Sequence, residues 1–79
     1  MDIERLNTDQ RIDFAASLRK IRHTYGYSQA QLAELAELHV TYISRLENGK
    51  RNPTLYTIEN IARAFGMTTV KFVKELQNS

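Results

Sequence analysis

Cysteine is absent, and the 79 residues hold one proline and three glycines. Without cysteine the chain has neither a disulfide framework nor a thiolate zinc site, which fits a reducing cytoplasm. So little proline and glycine argues against a disordered chain and against a turn-dense β fold. No apolar run approaches the roughly 18–20 residues of a membrane span. The charged start Met1-Asp2-Ile3-Glu4-Arg5 lacks the apolar stretch of a signal peptide. The expectation is a single domain over residues 1–79, cytoplasmic and without a membrane partner. Hydrophobic residues make up 42% of the chain, enough for one core. A domain this small without disulfide or metal sits near its stability limit, and oligomerisation is one way to bury more surface.

Catalytic signatures are missing too. His23 and His39 are the only histidines, and no G-x-S-x-G elbow, HExxH helix, phosphate-binding loop or GxGxxG turn occurs. Asp9 and Asp13 stand four apart without metal-ligand companions and read as a solvated helix face. The sequence therefore predicts no enzyme, no cofactor and no metal.

Charge is nearly balanced, at a formal +2, but unevenly spread. Acids dominate residues 1–13. Arg19, Lys20 and Arg22 follow with no acid between residues 14 and 33. Glu34 and Glu37 make residues 34–38 acidic, and Arg45, Lys50 and Arg51 outweigh Glu47 over residues 39–53. Two separated basic segments converging on one face would suit a polyanion; a mixed, solvated surface is the plainer alternative.

Period and punctuation predict an all-α chain of five helical segments and no strand. The first spans about Thr8 to Tyr25, capped by Asn7 or Thr8, with Phe14, Leu18 and Ile21 inward and Gly26 ending it. The second spans Gln29 to Ala36. Ser28 and Gln31 have the capping-box spacing, with Tyr27 and Leu32 as the hydrophobic staple. The third spans about Val40 to Asn48 on Ile43 and Leu46. The fourth follows Asn52-Pro53-Thr54 and buries Leu55, Ile58, Ile61, Ala62 and Phe65, with Gly66 closing it. The fifth, about residues 69–77, follows a Thr68 cap. Its apolar positions are too many for a monomer's surface. Val70, Val73 and Leu76, with Phe65 and Met67, are therefore candidate dimer contacts, while Phe72 is assigned to the core.

Only Glu37-Leu38-His39 separates the second and third segments, so the two helices must cross steeply, as in a helix-turn-helix. Ala33 lies near the crossing, Leu38 plugs the turn and Ile43 packs beneath. A plain αα-corner satisfies the same spacing.

Ser28-Gln29-Ala30-Gln31-Leu32-Ala33-Glu34 followed by Thr41-Tyr42-Ile43-Ser44-Arg45-Leu46-Glu47-Asn48-Gly49-Lys50-Arg51-Asn52-Pro53 resembles the Cro/phage-repressor-like (XRE-type) helix-turn-helix family over roughly residues 12–76. The run Thr41-Tyr42-Ile43-Ser44 and the chain length resemble the controller proteins of restriction–modification systems. Phage repressors and antitoxin-type regulators share the pattern, and a helix-turn-helix protein-interaction module is a further alternative.

The resemblance implies a compact lambda-repressor-like five-helix domain. Its recognition unit would be about residues 28–48, bound as a homodimer to a palindromic operator in double-stranded DNA, with autoregulation. The third segment would lie in the major groove with Val40, Thr41, Ser44 and Arg45 at base edges. Arg45 suits guanine, and Val40, where relatives often carry a longer polar residue, suits a thymine methyl. Gln29, His39, Tyr42, Asn48, Lys50, Arg51 and Asn52 would meet the DNA backbone or groove. Arg22 and Glu47 fall on family positions that pair across the domain and are assigned to structure. Glu34 and Glu37 form an acidic patch that could meet RNA polymerase. Glu37 stands where relatives usually have glycine, and a positive φ there would cost a glutamate about 1 kcal/mol.

Overall fold

The computed structural model describes residues 12–79. Among these residues five helices follow one another: α1 (Phe14–Thr24), α2 (Gln29–Ala36), α3 (Val40–Glu47), α4 (Leu55–Ala64) and α5 (Thr69–Asn78).

Local chemistry sets most of the boundaries. Asp13 caps α1, its carboxylate accepting the Ala16 N–H at 3.2 Å. The helix thus begins at Phe14, later than the sequence predicts. The expected Asn7 or Thr8 cap lies outside the described residues, and Asp13 is a cap instead of part of a helix face. Ser28 and Gln31 close a reciprocal capping box, the Gln31 N–H donating to Ser28 Oγ at 3.0 Å and the Ser28 N–H to Gln31 Oε1 at 2.8 Å. Thr54 and Thr68 cap α4 and α5, each accepting an N–H at 3.1 Å. Only α3 starts without a side-chain cap, at His39, because imidazole is a poor substitute for a short oxygen-bearing side chain.

Helix α2 ends on Glu37 in the left-handed region (φ 57, ψ 42), the one non-glycine residue with positive φ among those described. The turn that follows is closed by the Leu38 N–H bonding Ala33 O at 2.9 Å. That bond needs a left-handed residue between helix and turn, so the geometry wins over the preference of glutamate.

Leu18, Leu32, Ala36, Ile43, Ile61 and Phe72 are wholly buried and form the centre of the core, each large apolar side chain contributing roughly 1.5–3 kcal/mol. An aromatic clamp joins the ends of the helices. Tyr25 and Phe65 have ring centroids 4.9 Å apart, Tyr27 stacks on Phe65 at 5.8 Å, and Phe65 meets Phe72 at 5.9 Å.

Three expectations about α4 and α5 need correction. Leu55 is 68% exposed, because the face of α4 that turns inward at this end carries Thr57, whose hydroxyl is tied to Thr54 and Tyr42. Leu76 is buried, and its carbonyl accepts the Ser17 hydroxyl at 3.0 Å, locking the end of α5 onto α1. Phe65 is buried in the aromatic clamp. Leu76 is therefore not an exposed dimer surface, and Phe65 keeps the buried place that the α4 pattern gives it and is not a dimer contact as well. Val70 is exposed, and Met67 and Val73 are half-buried. The buried Asn60 was not anticipated. Its Oδ1 accepts from Arg63 at 3.1 Å, while Nδ2 has no hydrogen-bond partner among the described residues.

Candidate nucleic-acid interface

Helix α3 is short, and its two faces differ sharply. Ile43, Leu46 and Glu47 are buried. Val40, Thr41 and Arg45 are exposed and Ser44 is half-buried, so the four expected base readers share the outward face. Asn48, Lys50, Arg51 and Asn52 continue this face as an exposed polar and basic loop. The loop is closed by Gly49 at φ +72 and by the Lys50 N–H bonding Arg45 O at 2.9 Å.

The buried edge of α3 is anchored by an ion pair. Arg22 on α1 grips Glu47 through two bonds, Nε to Oε2 at 2.6 Å and Nη2 to Oε1 at 2.9 Å. Its third nitrogen, Nη1, donates to Tyr27 O at 2.8 Å, reaching the segment that leads into α2. Arg19 adds a bond from Nη1 to Glu47 O at 3.2 Å. Burial alone would oppose ionisation of Glu47. The hydrogen bonds from Arg22 and Gln29 and the charges of Arg22 and Arg19 outweigh it and hold the carboxyl below its ordinary value. The hydrogen bond to Glu47, and its charge, outweigh burial and raise the Arg22 guanidinium in turn.

Gln29, expected at the DNA backbone, is half-buried, with its amide Nε2 donating to Glu47 Oε1 at 3.0 Å. Tyr42 is half-buried and packs against the core, its hydroxyl 3.0 Å from Thr57 Oγ1. His39 is exposed at the start of α3. The structure thus gathers Val40, Thr41, Ser44, Arg45 and the 48–52 loop on one surface, and turns Tyr42 and the amide of Gln29 inward. Sequence reasoning missed Arg19, Thr54 and Thr57 as partners of this unit. The only available signal was the basic run containing Arg19; nothing local marks a threonine on α4 as the partner of a tyrosine on α3.

Comparison with known proteins agrees with this geometry. The sequence profile of the helix-turn-helix family matches residues 18–72. The control protein C.MunI of Mycoplasma sp is 34% identical over 70 residues, covering 87% of this chain and 95% of that protein. The HTH-type transcriptional regulator DdrOP3 of Deinococcus deserti is 37% identical over 51 residues, and the chain spans only 40% of its length. The crystal structure of the restriction-modification controller protein C.AhdI from Aeromonas hydrophila superposes with a TM-score of 0.72 at 34% identity, covering 82% of this chain and 92% of that one. The chain belongs to the XRE-type helix-turn-helix family of transcriptional regulators, which includes restriction–modification controllers.

Proposed function

We propose that the protein binds a palindromic operator as a homodimer, with α3 in the major groove, and that it regulates transcription, its own included. One observation carries this reading. The outward face of α3 bears hydrogen-bonding and small side chains, and it runs without a break into the exposed basic loop at Lys50 and Arg51. A protein-binding face would instead carry large apolar anchors. On this reading Arg45 donates to guanine and Thr41 and Ser44 contact neighbouring bases. Val40, 45% exposed, packs on a thymine methyl. Lys50, Arg51, Asn48 and Asn52 hold the backbone, and His39 adds a contact at the start of α3. Two copies related by a two-fold axis would set their recognition helices about 34 Å apart. The exposed Val70, with Met67 and Val73 beside it, supplies the dimer surface. Control of a restriction–modification system is the specific role that the similarity to C.MunI and C.AhdI favours. The exposed pair of Glu34 on α2 and Glu37 just after it is offered to RNA polymerase, in the cytoplasm.

Selection from a randomised duplex library, followed by anisotropy titration of the winning and scrambled duplexes, tests the reading. Binding by two protomers to a palindrome, tighter than to the scramble by about 10³ or more, is expected. Equal, weak binding to both duplexes would leave only the electrostatic attraction and count against sequence reading. In the same assay Arg45→Ala relaxes preference at one base pair per half-site; a uniform loss across all sequences would remove it from the readers.

A further inference from the structure

Arg19 and Arg22 stand about one turn apart on α1 and reach the end of α3 by different routes. Arg22 takes the Glu47 carboxylate, through Nε to Oε2 at 2.6 Å and Nη2 to Oε1 at 2.9 Å, and Gln29 adds a third bond to the same carboxylate at 3.0 Å. Arg19 takes the main chain instead, its Nη1 donating to Glu47 O at 3.2 Å. One carboxylate thus meets two guanidinium groups, and the one that it pairs with is buried. Arg19 is exposed and makes no ion pair among the described residues. The carbonyl that holds it is the last of α3, and Asn48, the first residue of the basic loop, follows directly. Earlier in the chain, Ile12, Phe14 and Ala15 share a groove of about 320 Å³ with Gly49, Arg51 and Asn52. Helix α1 therefore borders the loop from its first turn to Arg19.

We propose that Arg19 is a phosphate-binding residue, extending the backbone grip of the loop onto α1. The proposal rests on the DNA-binding reading above and adds a contact from outside the helix-turn-helix. An arginine suits the last turn of α3, because the carbonyls there are the negative end of the helix. Yet a carbonyl engages only one of the five N–H donors of a guanidinium and cancels none of its full charge. The remaining donors and the charge suit an anion, and a phosphate can accept from a guanidinium at two points. Held already at one nitrogen, the side chain has less rotamer freedom to lose when DNA arrives.

The test is anisotropy titration of a labelled mixed-sequence duplex over a range of potassium chloride concentrations. The proteins are the wild type, Arg19→Met, Arg19→Lys and Lys71→Met, each checked for native circular dichroism. Lys71→Met removes the same charge from an exposed position on α5, which packs on α1 and α4. Arg19→Met should lower the salt slope by about one and weaken binding roughly five- to tenfold at about 0.1 M salt. Arg19→Lys keeps the charge and should hold the wild-type slope, as should Lys71→Met. An unchanged slope in Arg19→Met, whatever the loss of affinity, would make Arg19 a helix cap alone and overturn the proposal. An equal fall in Lys71→Met would overturn it by assigning the effect to net charge, and an equal fall in Arg19→Lys by showing that the charge at this position does not meet DNA. Failure of the DNA-binding reading looks different: the wild type itself would then show no salt-dependent binding.

Discussion

The two ends of the domain are held together by different forces. At the α5 end the contacts are mainly apolar: Phe72 is wholly buried, Leu76 nearly so, and Phe65 lies between Tyr27 and Phe72, with the Ser17–Leu76 hydrogen bond the polar exception. At the α3 end Ile43 and Leu46 are the fully buried apolar anchors, with Leu38 and Tyr42 packed beside them, and directional bonds add a second constraint. Glu47 is gripped by Arg22 and Gln29, and Tyr42 is tied to Thr57. Apolar burial is non-directional and tolerates rotation about a helix axis, whereas a bidentate arginine–carboxylate pair fixes orientation as well as distance. A short helix proposed to present four side chains to base edges needs the second kind of constraint.

Breaking each end should expose that contrast. Phe72→Ala, the largest expected effect, should cost about 3–5 kcal/mol at any pH, since it removes burial and leaves a cavity. Urea denaturation measures it, and a loss below about 1 kcal/mol would mean that α5 is not held by its core residues. Glu47→Gln should also destabilise, by up to about 3–5 kcal/mol, because it strands the Arg22 charge. This loss depends on pH. The folded carboxyl is held below its unfolded value, so the stabilisation is fully present above about pH 4.3 and disappears as pH falls through the depressed folded value. The gap between wild type and Glu47→Gln should therefore narrow on acidification, while the gap to Phe72→Ala stays open. A constant Glu47→Gln gap would show that the pair contributes through packing and not through charge.

The same contrast explains what could be read in the sequence. Devices that act within a few residues were legible: the Ser28–Gln31 capping box, the Thr68 cap, and the short turn through Leu38. The inward positions of α2 and α3 were legible because period alone sets them, and Arg22 with Glu47 because the family pattern places them. Partner identity was not. Amphipathic spacing says that α5 has an apolar face, and it does not say whether α1 or a second copy covers it; hence Leu76 fits a dimer contact by pattern while the protomer itself buries it. Likewise nothing local says that the Gln29 amide reaches Glu47 across the fold, or that the Tyr42 hydroxyl lies beside Thr57.

The turn between the polar elements carries a smaller, separable strain. Glu37 sits at φ 57, where a Cβ is crowded by the backbone. Glu37→Gly should remove that strain and raise stability by up to about 1 kcal/mol, the gain being reduced by the greater freedom of glycine in the unfolded chain. A fall in the urea midpoint would mean that the glutamate side chain makes a contact worth more than the strain. Polymerase activation, measured apart from DNA affinity, should drop in the same variant if Glu37 is part of the acidic contact.

The smallest effect on folding sharpens the comparison most. Val70 is 66% exposed and belongs to neither the polar nor the apolar anchorage of the protomer. Val70→Asp should change the stability of the fold by no more than about 0.5 kcal/mol, yet it would put a charge in the middle of an apolar surface shared by two copies. If this face is the proposed dimer surface, sedimentation should then shift toward monomer while the circular dichroism spectrum stays native. Leu76→Asp cannot make this distinction, because it would place a carboxylate in the protomer's core and lose the dimer through unfolding. A dimer that survives Val70→Asp would move the interface off this face of α5. The exposed pair Leu55 and Tyr56 at the start of α4, 68% and 67% accessible, is then the next apolar surface to mutate.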